Sequence, residues 1–220
     1  MNLTALAAVS GVVLALSAGH AALAAPATYA ELDAGALLDG QLHARGTDIF
    51  LGPFDLKESH RRGGVFSGLI GRQIGTTPVS VEAEGLYLND AIQSDDLNAA
   101  LGTSAGLRVQ SYGATANLKL EHELAGAAGG LALSPFAAVG AGYGHTDMTI
   151  LGDHYTGDGF LWQAKAGVSL RTSAALSWTV AYRYVHVPTY DTDKLGLVAK
   201  LENDADGVSV GVRYTFGTTR

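Results

Sequence analysis

His145, Asp147, Asp153 and His154 lie within one polar stretch and carry the imidazole and carboxylate groups that hold divalent ions. No metal-binding spacing organises them, and polar connections contain such residues by default. No catalytic residue, cofactor site or metal site is therefore assigned. A second group is Glu82, Glu84, Lys119, Glu121, Lys165, Arg171, Arg183 and Arg213, spread over segments of alternating polarity. On strands such residues share one face, and mixed signs on an inward face imply ion pairs, since isolated buried charge is costly. Glu82 or Glu84 is expected to meet Lys119 on the neighbouring strand or Arg183 across the interior. The third group is acid in the connections: Asp90, Asp95, Asp96, Asp147, Asp153, Asp158, Asp191, Asp193, Glu202, Asp204 and Asp206. It keeps those segments solvated or sets interactions with cations and basic partners. Cysteine is absent, which removes disulfides and thiolate chemistry. A net charge of −7 argues against nucleic acid as a partner.

The elements that position these residues read as short strands. In Val208-Ser209-Val210-Gly211-Val212-Arg213-Tyr214-Thr215-Phe216 one face is Val, Val, Val, Tyr, Phe and the other Ser, Gly, Arg, Thr. This period-two pattern recurs around Trp178–Tyr184, Phe160–Arg171, Leu133–His145, Val109–Glu121, Val79–Leu88 and Val65–Ile74, with a weak first strand within His43–Phe54. Eight strands make an even number that can close. Connections alternate in length: Gly75–Pro78, Ala125–Gly130 and Ser173–Ser177 are short, whereas Asp90–Leu107, Asp147–Gly159 and Pro188–Asp206 are long and polar. The expected fold is an all-β, eight-stranded antiparallel up-and-down barrel.

Lipid rather than water should surround it. Charged residues are 16% of the 220, against roughly 25% in soluble domains. The polar face is rich in Gly, Ser, Thr and Ala, which suits the crowded interior of a narrow barrel better than a hydrated exterior. Aromatics gather at strand ends. With a periplasmic amino terminus, Tyr87, Tyr112, Tyr143, Phe160, Trp162 and Tyr184 fall at the outer rim, and Trp178, Tyr214 and Phe216 at the inner one. Such rings favour the two membrane interfaces. Met1–Ala24 has no charged side chain and ends in Ala22-Leu23-Ala24, the small-x-small pattern of an export signal. The chain thus divides into a cleaved signal peptide at 1–24, a periplasmic segment at 25–42, a barrel at 43–216 and an extension at 217–220. Arg72 falls on the lipid face near the inner rim, where it can snorkel to head groups.

Ser209 to Phe216 resembles the carboxy-terminal signal read by the outer-membrane assembly machinery, through Ser209, Gly211, Tyr214 and Phe216. Leu133-Ser134-Pro135-Phe136-Ala137-Ala138-Val139-Gly140-Ala141-Gly142-Tyr143, Trp162 to Ser169 and Val180 to Tyr184 are similar to strands of opacity-protein-like and outer-membrane-protein-A-type barrels. The resemblance implies a monomer in the Gram-negative outer membrane, in contact with membrane lipid and lipopolysaccharide. It implies a structural or adhesion-like surface role, with no enzyme activity and no cofactor. A lipid-modifying enzyme and a small pore are the alternatives. Barrel lipid A deacylases resemble this chain in size but carry a His-x-Ser pair. None of His43, His60, His122, His145, His154 and His186 has Ser two residues later. Asp95-Asp96 and Asp153-His154 are similar to pairs in barrel proteases, but their spacing differs and that family needs two more strands. An eight-stranded interior is only wide enough for side chains, which argues against a pore.

Overall fold

The computed structural model describes residues 27–48, 52–59, 62–92, 107–124, 131–150, 153–192 and 197–217. Its strands are β1 (Thr28–Asp48), β2 (Gly52–Ser59), β3 (Arg62–Gln73), β4 (Val79–Ile92), β5 (Leu107–Glu121), β6 (Ala132–Ile150), β7 (Asp153–Arg171), β8 (Leu176–Thr192) and β9 (Leu197–Phe216). All pairings are antiparallel between neighbours, and β1 also pairs with β9, which closes the sheet. β2 and β3 lie end to end along β1. Gln41–Asp48 pairs with Gly52–Ser59, whereas Thr28–Leu37 pairs with residues 63–72 of β3. Together they make one barrel strand, so the barrel has eight.

The first strand lies elsewhere than the alternation predicts. It begins at Thr28, so residues 28–42 belong to the barrel wall and are not a periplasmic segment. Its outward positions are Ala30, Leu32, Ala34 and Ala36, and its inward ones include Glu31 and Asp33. Alanine is a weak strand former, and acid on the inward face inverts the usual apolar signal. The long polar connections also shrink. β6 and β7 pair as far as Ile150 and Asp153, and β8 and β9 run to Thr192 and from Leu197. Strands that outlast the apolar band carry polar side chains on both faces, which reads as loop in sequence.

The strands are tilted. Following paired residues from Ala30 gives Ile70, Ala83, Ala116, Ala141, Trp162, His186 and Asp204, then returns to β1 at Gln41 rather than Ala30. That displacement is the shear that a closed barrel requires. It includes a bulge between Leu37 and Asp39. One end carries tight turns at residues 74–78, where Gly75 takes φ +57°, and at residues 172–175. The strands extend furthest at the other end.

The outward face is apolar over a continuous band. Leu32, Phe66, Val81, Leu118, Val139 and Val210 are exposed, with Val139 at 62% and Tyr143 at 63%. So broad an apolar exterior is incompatible with water and suited to hydrocarbon. Allowing for the tilt, Phe66, Tyr87, Tyr112, Tyr143, Phe160, Trp162 and Tyr184 ring the long-strand side of the band. Trp178, Tyr214 and Phe216 mark the short-turn side. Arg72 pairs with Thr28 and Val81 at the short-turn side, on the outward face. The signal-peptide region and residues 218–220 lie outside the described residues.

Candidate functional site

Inside the barrel the side chains form two stacked layers. The lower one is ionic and centres on Glu84 of β4. Its Oε2 accepts hydrogen bonds from Lys165 Nζ (2.8 Å), Gln163 Nε2 (2.7 Å) and Asn117 Nδ2 (2.8 Å). Its Oε1 stands 2.8 Å from Arg183 Nη2, close enough for an ion pair although the angle is poor for a hydrogen bond. Arg183 also donates to Ser67 Oγ (2.9 Å) and Gln163 Oε1 (3.2 Å). Nearer the short turns, Arg213 donates to Glu31 (2.6 Å) and Glu121 (2.7 Å), and Lys119 lies 2.8 Å from Glu121. Tyr29 OH donates to Glu82 Oε1 at 2.8 Å, and Lys119 sits 4.2 Å above the Phe136 ring. A cavity of about 10 Å³, one water molecule in size, remains among Glu31, Asp33, Glu82, Lys165, Arg183 and Ser209.

The expected pairs of Glu82 or Glu84 with Lys119 or Arg183 are therefore present. Lys119 lies 3.9 Å from Glu82, and Arg183 lies 2.8 Å from Glu84. Arg171 is a correction. It is exposed and pairs with Glu123 at 2.7 Å beside the short turns, because it closes β7 where the strand leaves the wall. Tyr29, Glu31 and Asp33 are lumenal groups that alternation does not mark, because alanine fills most outward positions of their strand. Their acid inside an alanine-rich run was the available signal.

The upper layer is apolar. Leu37, Val65, Leu86, Leu88, Leu161, Val185, Val187 and Ala205 form one buried cluster across the lumen, with Leu161 and Val185 at 0% exposure. Glycines complete it where strands carry no bulk. A Cβ on Gly113 would stand 3.0 Å from Leu161 Cδ1, and one on Gly63 would stand 2.6 Å from Leu37 Cδ1. Beside this layer the Ser111 and Thr146 hydroxyls share a hydrogen bond of 2.8 Å, and the paired residues Val109 and Met148 are buried beyond them.

Of the four residues weighed for a metal, His145 and Asp147 are brought together. His145 Nδ1 lies 2.7 Å from Asp158 and Nε2 lies 3.3 Å from Asp147. Among the described residues no group of three or more ligating side chains suited to a metal occurs. The side chains of Asp153 and His154, and both Asp95 and Asp96, lie outside the described residues. A second histidine–carboxylate pair joins His186 Nδ1 to Asp204 at 2.6 Å, and Tyr182 OH donates to Asp206 at 2.9 Å.

The same architecture is found in proteins of known structure. Neisserial surface protein A of Neisseria is 16% identical with a TM-score of 0.51, over 86% of this chain and 97% of that one. The outer membrane protein OprG of Pseudomonas aeruginosa is 11% identical with a TM-score of 0.51, over 88% and 98%. At these identities the likeness establishes the fold alone. No curated protein sequence matches the chain. The outer membrane protein beta-barrel domain matches residues 8–216. A closed, lipid-facing barrel with a filled interior, matched over nearly its whole length by that domain, belongs to the outer membrane protein beta-barrel family and resides in the Gram-negative outer membrane.

Proposed function

We propose that this protein is a non-enzymatic, non-conducting component of the outer membrane that acts through its cell-exterior end, in envelope maintenance or in adhesion. The observation that carries the reading is the doubly closed lumen. Paired charges fill the lower half, and an apolar layer spans the upper one. An ion crossing it would first have to break buried ion pairs and then leave water altogether, both of which cost several kcal/mol. With the interior occupied by structural contacts, partners are met on the outside. Barrels of this kind keep short turns in the periplasm, which sets the extended strand ends towards the medium.

The lipid-modifying alternative would need a histidine free to take a proton. Both ring nitrogens of His145 face carboxylates, an arrangement fully satisfied only by the protonated ring. His186 Nδ1 holds Asp204, and among the described residues no serine or threonine hydroxyl hydrogen-bonds to its ring. These contacts favour a structural use of both histidines.

A strain lacking the protein, complemented with the full chain or with a chain shortened at 193–196, tests the proposal. Two readouts separate its branches: sensitivity to detergent and large antibiotics, and attachment to epithelial cells. An envelope role predicts that both forms restore resistance. An adhesion role predicts that only the full chain restores attachment. A strain unaltered in both respects overturns the reading.

A further inference from the structure

One side-chain arrangement occurs twice on the outward face. In the first row Tyr112 of β5 is opposite His145 of β6, which is opposite Asp158 of β7. In the second, Trp162 of β7 is opposite His186 of β8, which is opposite Asp204 of β9. Each row therefore reads aromatic, histidine, aspartate across three neighbouring strands, and the second repeats the first two strands further on. Both are built as units. The Tyr112 and His145 rings lie 5.0 Å apart, and the Trp162 and His186 rings lie 6.0 Å apart and stack. The carboxylate of the third residue holds Nδ1 of the histidine at 2.7 Å in one row and 2.6 Å in the other.

Their direction and height identify what they face. Thr146 and Met148 point inward beside His145, as Val185 and Val187 do beside His186, so both histidines point away from the lumen. Each row starts within the aromatic ring on the long-strand side of the apolar band and climbs beyond it with the strand tilt. The carboxylates, 56% exposed in Asp158 and 41% in Asp204, thus stand just above the hydrocarbon. In the outer leaflet of a Gram-negative outer membrane that level is occupied by the sugar head groups of lipopolysaccharide. Aromatic faces accept the C–H faces of sugar rings, and carboxylates accept hydroxyl and amide hydrogens by charge-assisted bonds. The local charge selects the sugar over the phosphate. His145 is flanked by Asp147 and Asp158 and faced by Tyr112, and His186 by Asp204, so neither row presents net positive charge.

We propose that the two rows are a paired binding site for the sugar rings of outer-leaflet lipopolysaccharide, one ring per row. The proposal rests on the outer-membrane location and on the wall of the barrel. It is independent of the surface role above, because trimming residues 193–196 leaves both rows in place.

The test uses the complete mature barrel in phospholipid nanodiscs, titrated with purified rough lipopolysaccharide or with phosphatidylglycerol. Readouts are the number of lipopolysaccharide molecules retained in native mass spectrometry and the midpoint of the heat-modifiable mobility transition. Lipopolysaccharide should raise the midpoint, phosphatidylglycerol should not, and EDTA should leave the effect intact. Asp158→Asn with Asp204→Asn should weaken lipopolysaccharide retention by about tenfold, the scale of one charge-assisted hydrogen bond. Asn89→Ala, at an outward position of β4 outside both rows, should retain it. Trp162→Ala carries the same prediction from an exposed position, should the aspartate pair prove necessary for folding. Undiminished retention in both row variants overturns the site. So does equal stabilisation by phosphatidylglycerol, or loss on EDTA addition, which would mean phosphate bridged by divalent ions.

Discussion

Glu84 and Arg183 meet across the lumen at 2.8 Å, although one lies on β4 and the other on β8. Neither strand pairs with the other, so the contact spans the inside of the barrel rather than running along its wall. Both side chains are almost fully buried, and Lys165 joins them from β7. The pair therefore ties together strands that the backbone ladder leaves independent.

Removing one member alone should be expensive. Arg183→Leu leaves Glu84 with Lys165 but takes the donor away from Ser67 Oγ and Gln163 Oε1, and a loss of about 3–5 kcal/mol is the usual scale for a broken buried pair. Replacing Glu84 and Arg183 together by leucine should cost less than the two single changes summed. Urea unfolding of the barrel in detergent micelles, followed by tryptophan fluorescence, measures all three. Additive losses would show that the pair is not coupled.

Gly211 sits directly behind Asp33 and Thr179, and a Cβ there would press on both side chains. Gly211→Ala should destabilise the barrel by about 1–3 kcal/mol, the scale of overpacking. Asp33→Ala in the same chain should recover part of that loss. If Asp33→Ala gives no relief, the glycine is required by assembly rather than by packing.

The apolar layer makes a conductance prediction. The purified barrel in planar bilayers should show no stable channel, and Leu86→Ser alone should show none, because the ionic layer below remains. Leu161→Ala should reveal the layer through stability instead, with a loss of about 2–5 kcal/mol for a fully buried leucine. Steady single-channel currents from the unaltered protein would contradict both the layer and the proposed function.

Orientation is accessible because the chain has no cysteine of its own. Single cysteines at Gly152 and Gly196 should react with an impermeant maleimide on intact cells. Those at Thr77 and Ser173, in the short turns, should react only after the outer membrane is opened. The reverse pattern would invert the barrel.

Phe216 and Val210 share the outward face of β9, but Phe216 occupies the terminal aromatic position of the proposed assembly signal. Phe216→Ala should accumulate unfolded in the periplasm, whereas Val210→Ala, which removes about 1–2 kcal/mol of apolar contact, should reach the outer membrane. Heat-modifiable mobility of fractionated cells distinguishes the two. Equal outer-membrane levels would reduce Phe216 to one interfacial anchor among several.

Strand periodicity alone determined most of this protein. Alternation in β4 to β9, two groups of aromatics and a low charge content are local properties, and they sufficed for a closed membrane barrel and for the inward direction of Glu82, Glu84, Lys119, Lys165, Arg183 and Arg213. Periodicity failed in β1, where alanine faces outward and Glu31 and Asp33 face inward, because partners such as Arg213 and Thr179, which hold Glu31, make that acid tolerable inside. Those partners come from β9 and β8, and barrel closure alone brings them near. Tertiary structure likewise decided the apolar layer and the two outward rows. Leu37 and Leu161, or Trp162, His186 and Asp204, stand at related heights only because shear offsets each strand against the next. Sequence spacing carries no record of that offset, since it is a property of the closed sheet and not of any one strand.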